Sequence, residues 1–382
     1  MQQFNFPTVI LHGEGSLEAL AERLRGRAKR ILLVTDATLA KAGLVADVKA
    51  VLERAGVDAA VFDGVHPNPV EEDVERGLEA YRREGCDALV ALGGGSPMDA
   101  AKVMRFMAVH PGPLAQYDDA KGGDRLIVNP MPPLFAIPTT AGTGSEVGRS
   151  GVIILRATGR KTIFFHPRLI PDIAVLEPRL TAGLPPHITA ATGIDAFTHC
   201  LEAYLAPVFH PMADGIALEG VRLILRHLPA AHARGDDLEA RGAMQIAAAM
   251  GATAFQKGLG MIHSLAHPLS ARYDTHHGLA NALLLPDAMA FLESKTLPPD
   301  AAGKMGRLQG IFREAGLARA SLSESCRAFF AGLQVPFGLR RHKVPESDLE
   351  ALSRDAIEDA CHAGNAVPVS REDMLAVYRA AF

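Results

Sequence analysis

The chain has 382 residues, 48% of them hydrophobic and 21% charged, a balance that excludes a disordered polymer and leaves room for two cores of ordinary size. Its 39 basic and 43 acidic residues give a net charge of -4, which excludes a field able to gather nucleic acid or anionic lipid.

The opening Met1-Gln2-Gln3-Phe4-Asn5-Phe6-Pro7 lacks the basic start and apolar run of a secretory signal, and no uncharged apolar stretch reaches spanning length. A cytoplasmic protein is expected. Cys86, Cys200, Cys326 and Cys361 are scattered and form no Cys-x-x-Cys pair, so free thiols in a reducing compartment are expected too.

From Arg30 to about Pro171, short apolar runs alternate with helix-like stretches, which predicts strand–helix–strand units in a largely parallel sheet. The predicted strands are Ile31–Thr35, Ala59–Phe62, Ala88–Leu92, Leu134–Ile137 and Val152–Leu155. Asp36 ends the first of them. There a carboxylate can accept hydrogen bonds from a ribose diol and repel a 2′-phosphate, or it can simply cap a helix.

The strand Ala88–Leu92 runs into Gly93-Gly94-Gly95-Ser96-Pro97-Met98-Asp99-Ala100-Ala101-Lys102. Glycines let the backbone approach a bulky anion, Ser96 suits an N-cap, Pro97 the first helical position, and Asp99 a capping box. The helix start then offers free N–H groups to a pyrophosphate, although a tight turn with no ligand uses the same residues. Pro138-Thr139-Thr140-Ala141-Gly142-Thr143-Gly144-Ser145-Glu146 follows another apolar strand and reads as a second wall of one nucleotide site. Asp36 precedes the glycine loop by more than fifty residues, so an ordinary Rossmann order does not apply.

Gly183-Leu184-Pro185-Pro186 breaks the pattern, and beyond it the apolar spacing is helical. An α/β domain over residues 1–182 with a mostly parallel sheet, then an all-α domain over residues 183–382, is the expected architecture. The stretch Ala243–Gly260 is read as one buried helix, because Gln245, Gln256 and Lys257 interrupt its apolar run.

Asp195 and His199 lie four apart, as do His263 and His267, and His277 follows ten residues later. Such spacing puts each pair on one helix face. Imidazoles with one carboxylate suit Fe(II) or Zn(II) and do not suit Mg(II) or Ca(II). Among 15 histidines a single such pair also arises as ordinary core or surface residues.

The sequence resembles the iron-containing (group III) alcohol dehydrogenase family over its whole length. The resemblance is carried by residues 93–102, by Pro138 through Val147, by Ala191-Thr192-Gly193-Ile194-Asp195-Ala196 through Glu202-Ala203-Tyr204, and by Gly260 through Leu269 with His277-Gly278. It implies NAD and a divalent metal, Fe(II) with Zn(II) as the alternative, in the cleft between two domains, and a homodimer or higher homo-oligomer. Carried over by position, the metal ligands are Asp195, His199, His263 and His277, and His267 lies near the nicotinamide as the proton-handling residue. The dinucleotide contacts are Asp36, Asn68, Gly94, Gly95, Ser96, Asp99, Thr139, Thr140, Thr143, Lys161 and Leu180.

The activity implied is interconversion of a small alcohol and its aldehyde or ketone with NAD(H). A zinc-dependent polyol dehydrogenase, a maleylacetate-type reductase, a dehydroquinate synthase-like lyase and a non-catalytic nucleotide-binding protein are the alternatives. Three places depart from the family pattern: Gly148-Arg149-Ser150, His276 beside His277, and the late loop Asp359 through Asn365, which lacks the usual Asn-Pro ending. Arg149 and Lys257 are candidates for holding an anionic substrate, with surface charge as the alternative.

Overall fold

The computed structural model describes residues 4–382. Eight short strands form where the apolar runs are flanked by turns: β1 (Val9–His12), β2 (Arg30–Val34), β3 (Asp58–Phe62), β4 (Ala88–Gly93), β5 (Leu134–Pro138), β6 (Ser150–Ile154), β7 (Lys161–Phe165) and β8 (Ile173–Leu176). Six of them make a parallel sheet in the order β1-β8-β5-β4-β2-β3. Helices α1 (Ser16–Leu24), α2 (Ala37–Lys41), α3 (Leu44–Arg54), α4 (Glu71–Arg83) and α5 (Gly95–Met107) accompany it.

Both sheet faces are covered, which is why Ile31–Val34 reads as a continuous apolar run. Leu32, Val34, Leu89 and Ala91 enter one core with Val74, Val103 and Met104, while Ile31, Leu33, Val90 and Leu92 enter the other with Leu20, Val48 and Leu52. Four strands differ from the sequence expectation. The predicted strand Val152–Leu155 belongs to β6, which pairs antiparallel with β7 in a separate hairpin. β1, β7 and β8 lie outside the predicted strands.

The strand order places a topological switch beside β2: the chain passes from β2 outward to β3 and then returns to the far side of β2 as β4. Ligands of open parallel sheets bind beyond the carboxyl ends of strands at such a point. Asp36 follows β2, Gly94 follows β4, Thr139 follows β5 after its Pro138, and the turn holding Leu180 follows β8. Strands β2, β4, β5 and β8 are consecutive neighbours, so residues far apart in sequence share one sheet edge.

Residues 6–140 and 144–181 make up this α/β unit; a second unit takes residues 182–382, with Phe4, Asn5 and residues 141–143. The second unit is helical: α6 (Pro186–Leu205), α7 (Pro211–Ala233), α8 (Leu238–Ala254), α9 (Met261–Tyr273), α10 (His277–Glu293), α11 (Pro299–Glu314), α12 (Leu322–Gly332), α13 (Leu349–Glu358) and α14 (Arg371–Ala380). The helix expected over residues 243–260 stops at Ala254, where a tight turn over Phe255–Lys257 and Gly258 at φ 128° end it. Only glycine adopts such a φ without strain.

Helix α6 is buried from Thr189 through Leu205, as a central helix of a bundle must be. Phe197 anchors one of its faces, edge-on to Phe330 with ring centroids 5.8 Å apart and to Phe312 at 6.0 Å. Asp195 and His199 project from another. No helix among the described residues is long and apolar enough to cross a membrane.

Candidate active site

Helices α6, α9 and α10 bring the four expected ligands together. The Nε2 atoms of His277, His199 and His263 lie 3.4, 3.9 and 4.0 Å from one oxygen, Oδ1 of Asp195. The rings of His199 and His263 stack at 4.8 Å between centroids, with 18° between planes. A close helix contact makes this possible. A Cβ on Gly278 would stand 2.1 Å from the carbonyl oxygen of Ala191, so only glycine lets the start of α10 reach α6 and deliver His277.

The protonation states suit a cation. Burial opposes the charge of Asp195, yet the imidazoles of His199, His277 and His263 hold its carboxyl below the usual carboxylate range. Burial depresses His199 to about 4 against the pull of Asp195, and it lowers His277 well below the ordinary imidazole value. A neutral imidazole and an ionised carboxylate are the forms that bind metal. The residues present fit such an ion, since His263 Nε2 is fully buried without a hydrogen-bond partner while its Nδ1 is held by Glu202 at 2.5 Å. Nitrogen and carboxylate donors together favour a borderline divalent ion over Mg(II) or Ca(II).

His267 stands next to this group, stacked on His277 at 5.3 Å. Its Nδ1 pairs with Asp359 Oδ2 at 2.8 Å, and Asp359 Oδ1 accepts from Ser264 Oγ and from the Cys361 amide, each at 2.9 Å. Burial works against the Asp359 charge, but the hydrogen bond and charge of His267 together with the hydrogen bonds from Cys361 outweigh it and keep the carboxyl well below its ordinary range.

In the α/β unit, the glycine loop meets α5 differently from expectation. Gly94 rather than Ser96 is the N-cap, the helix starts at Gly95, and no side chain caps it. The first-turn N–H groups are therefore left to a ligand or solvent. Asp99 does not close a capping box. It accepts from Ser145 Oγ at 2.8 Å and from the Val152 amide at 3.1 Å, tying the β6–β7 hairpin to α5. Lys102 Nζ donates to the same Ser145 Oγ at 2.7 Å and to the Ser150 carbonyl at 2.9 Å.

Comparison with known proteins supplies what geometry alone does not. Residues 7–178 match the iron-containing alcohol dehydrogenase family, and residues 189–382 match the C-terminal region of Fe-containing alcohol dehydrogenases. The chain belongs to the iron-containing alcohol dehydrogenase family. It is 41% identical to a 4-hydroxybutyrate dehydrogenase of Cupriavidus necator over 352 residues, 90% of each chain, and 34% identical to an NAD-dependent methanol dehydrogenase of Bacillus methanolicus over 99% of each. The solved structure of an alcohol dehydrogenase from Oenococcus oeni superposes over 100% of both chains with a TM-score of 0.90 and 30% identity. The protein is thus a metal-dependent oxidoreductase of alcohols and aldehydes.

Against this family background the remaining sequence expectations separate. Asp36 does cap α2, its Oδ1 accepting from the amides of Thr38 and Leu39 at 2.8 and 3.1 Å. Asn68 takes a left-handed φ of 54°, which asparagine tolerates better than most residues. Thr139 is buried, Lys161 is exposed at the start of β7, and Leu180 packs into the core beside β8. His276 is exposed and serves as the N-cap of α10.

Lys257 is neither a surface charge nor free for a substrate. Its ammonium is buried against Asp214 and donates to the Tyr204 carbonyl at 2.9 Å. Arg149 lies over the Phe165 ring at 5.5 Å. The ring of Phe255 is 5.1 Å from that of His199, and Cys361 groups with His267 and Asp359.

Three residues of the site stand outside the expected ligand set. Glu202 falls three residues after His199 and Asn281 four after His277, both on the faces already marked by ligands, and that spacing could have exposed them. Asn281 Nδ2 donates to Asp195 Oδ1 at 2.8 Å. Asp359 comes from a distant loop and no local spacing points to it.

Proposed function

We propose that this enzyme interconverts a short-chain alcohol and its aldehyde with NAD(H), using one divalent ion, Fe(II) with Zn(II) as the alternative, held by Asp195, His199, His263 and His277. One observation carries the reading: three imidazole nitrogens lie within 4.0 Å of a single carboxylate oxygen, in a site where burial suppresses the charge of His199 and His277. When bound, such an ion supplies Lewis-acid polarisation of the alcohol or carbonyl oxygen.

The chain's own residues do the rest. His267, with Nδ1 engaged by Asp359, keeps Nε2 as the nitrogen that passes a proton between substrate and solvent. Gly94, Gly95 and Ser96 present backbone N–H groups to the pyrophosphate, and Thr139, Thr140 and Thr143 offer hydroxyls along the neighbouring loop. Asp36 selects NAD by repelling a 2′-phosphate, and Asn68, Asp99, Lys161 and Leu180 complete the proposed dinucleotide contacts. The label NAD-dependent on one relative supports this choice.

The name of the Cupriavidus relative supports an ω-hydroxy acid as one substrate to try, beside uncharged alcohols. Four unpaired cysteines support a reducing, cytoplasmic setting. A homodimer or larger homo-oligomer belongs to the same proposal and is read by light scattering. The deciding assay is anaerobic NADH oxidation with aldehydes and ketones of varied length and charge, with metal content measured on the same sample. Turnover that tracks iron or zinc content is expected, and full turnover in metal-free protein would sink the reading.

A further inference from the structure

We propose that Glu202 is the positioning residue of the cation site: its carboxylate fixes the tautomer and ring orientation of His263 so that Nε2 presents a lone pair towards Asp195. The inference rests on the metal-centre reading above. It concerns a residue outside the proposed ligand set.

The geometry is that of a clamp. Glu202 lies on α6 one turn beyond His199 and two turns beyond Asp195, so all three share a helix face. Its Oε2 receives Nδ1 of His263 at 2.5 Å, and its Oε1 receives the amide of Ile262 at 2.7 Å. One carboxylate thereby holds both the first turn of α9 and the ligand that this turn carries. A Cβ at residue 260 would approach Oε1 to 2.7 Å, so Gly260 is the residue that admits the carboxylate to this place.

The consequence for His263 is chemical. A carboxylate accepts only, hence Nδ1 must carry the proton, and in the neutral ring that a metal ion requires Nε2 is the acceptor. That Nε2 is buried with no hydrogen-bond partner, 4.0 Å from Asp195 Oδ1. An uncompensated buried acceptor is costly, and a cation coordinated there relieves it. Replacing Glu202 by Gln keeps the volume and the Ile262 bond, but the amide NH2 then faces Nδ1. The ring is driven to the Nε2–H tautomer, which points a proton where the ion should bind.

The test compares full-length wild type, Glu202→Gln and His263→Ala, each stripped of metal and titrated with Co(II) against a chromophoric chelator while the ligand-field spectrum is recorded. Glu202→Gln is expected to lose about 10- to 100-fold in affinity with an altered spectrum. Its far-UV circular dichroism should match wild type, since the isosteric amide leaves the helix contact in place. Equal affinity and an identical spectrum in Glu202→Gln would overturn the role of Glu202 while leaving the cation site intact. If wild type bound no Co(II), or His263→Ala bound it equally well, the cation site itself would fall and this inference with it.

Discussion

The helical and α/β units build their halves of the chemistry by opposite means. In the helical unit the working groups are side chains, and helix pitch carries Asp195 and His199 to one face with no help from the rest of the fold. In the α/β unit the proposed pyrophosphate contacts are backbone N–H groups at a strand end, and it is sheet order that brings Asp36, Gly94 and Thr139 to one sheet edge. A side-chain site fails when one residue changes. A backbone site is protected from single substitutions and is lost when its scaffold loosens.

His263→Ala tests the first half and should have the largest effect. Lewis-acid stabilisation worth several kcal/mol predicts a fall in kcat/KM of about 10³-fold or more, together with loss of bound metal. Metal analysis and steady-state kinetics on the same preparation check this, with thermal unfolding as a control on the fold. Activity that survived without metal would place the chemistry elsewhere.

The scaffold of the second half is tested at Lys102. This ammonium is buried, and burial lowers it to about 8 despite the nearby charges of Asp99 and Glu146. Lys102→Met strands Asp99 without its cation and frees the loop between β5 and β6. Leaving the Ser145 hydroxyl and the Ser150 carbonyl without this buried donor costs about 2 kcal/mol, seen as a lower urea midpoint. A loss under about 1 kcal/mol would mean that the hairpin is held by packing alone.

Glu146 gives the same network a pH signature. Burial lifts its carboxyl from 4.5 to about 7, so between these values the folded chain holds a proton that the unfolded chain has released. The contribution to stability is complete below pH 4.5 and is lost as pH rises through 7. Glu146→Gln removes that slope, and the wild-type minus variant difference in unfolding free energy should therefore fall across this window. A difference independent of pH would show Glu146 to be ionised throughout.

The two units were also unequally legible in the sequence. The ligand set could be written down from i, i+4 spacing and family resemblance, because a helix converts sequence distance directly into position. The orienting groups are less visible: Glu202 lies on a ligand face without being a ligand, and Asp359 arrives from ninety-two residues beyond His267. In the α/β unit the strands β2 to β5 were found within a residue or two, since long apolar runs bounded by turns are a strong signal. β1 and β8 are short, and β6 was assigned to the wrong sheet because alternation marks a strand without naming its partner. Ser96 had the chemistry of an N-cap, but the glycines start the helix earlier.

Asp36 is where the two kinds of site meet in one residue, and it carries the smallest expected effect. Its Oδ1 is occupied by two amides at the start of α2, so the structure accounts for the residue without any ligand. If capping were its whole role, Asp36→Gly would cost only a few tenths of a kcal/mol in stability and leave cofactor choice unchanged. If it also faces a ribose, removing the negative charge eases entry of a 2′-phosphate, and kcat/KM with NADPH should rise about tenfold, equivalent to ~1.4 kcal/mol. Measuring NADH and NADPH kinetics beside the unfolding midpoint separates the two roles. A shift in stability with no shift in cofactor preference would reduce Asp36 to a helix cap.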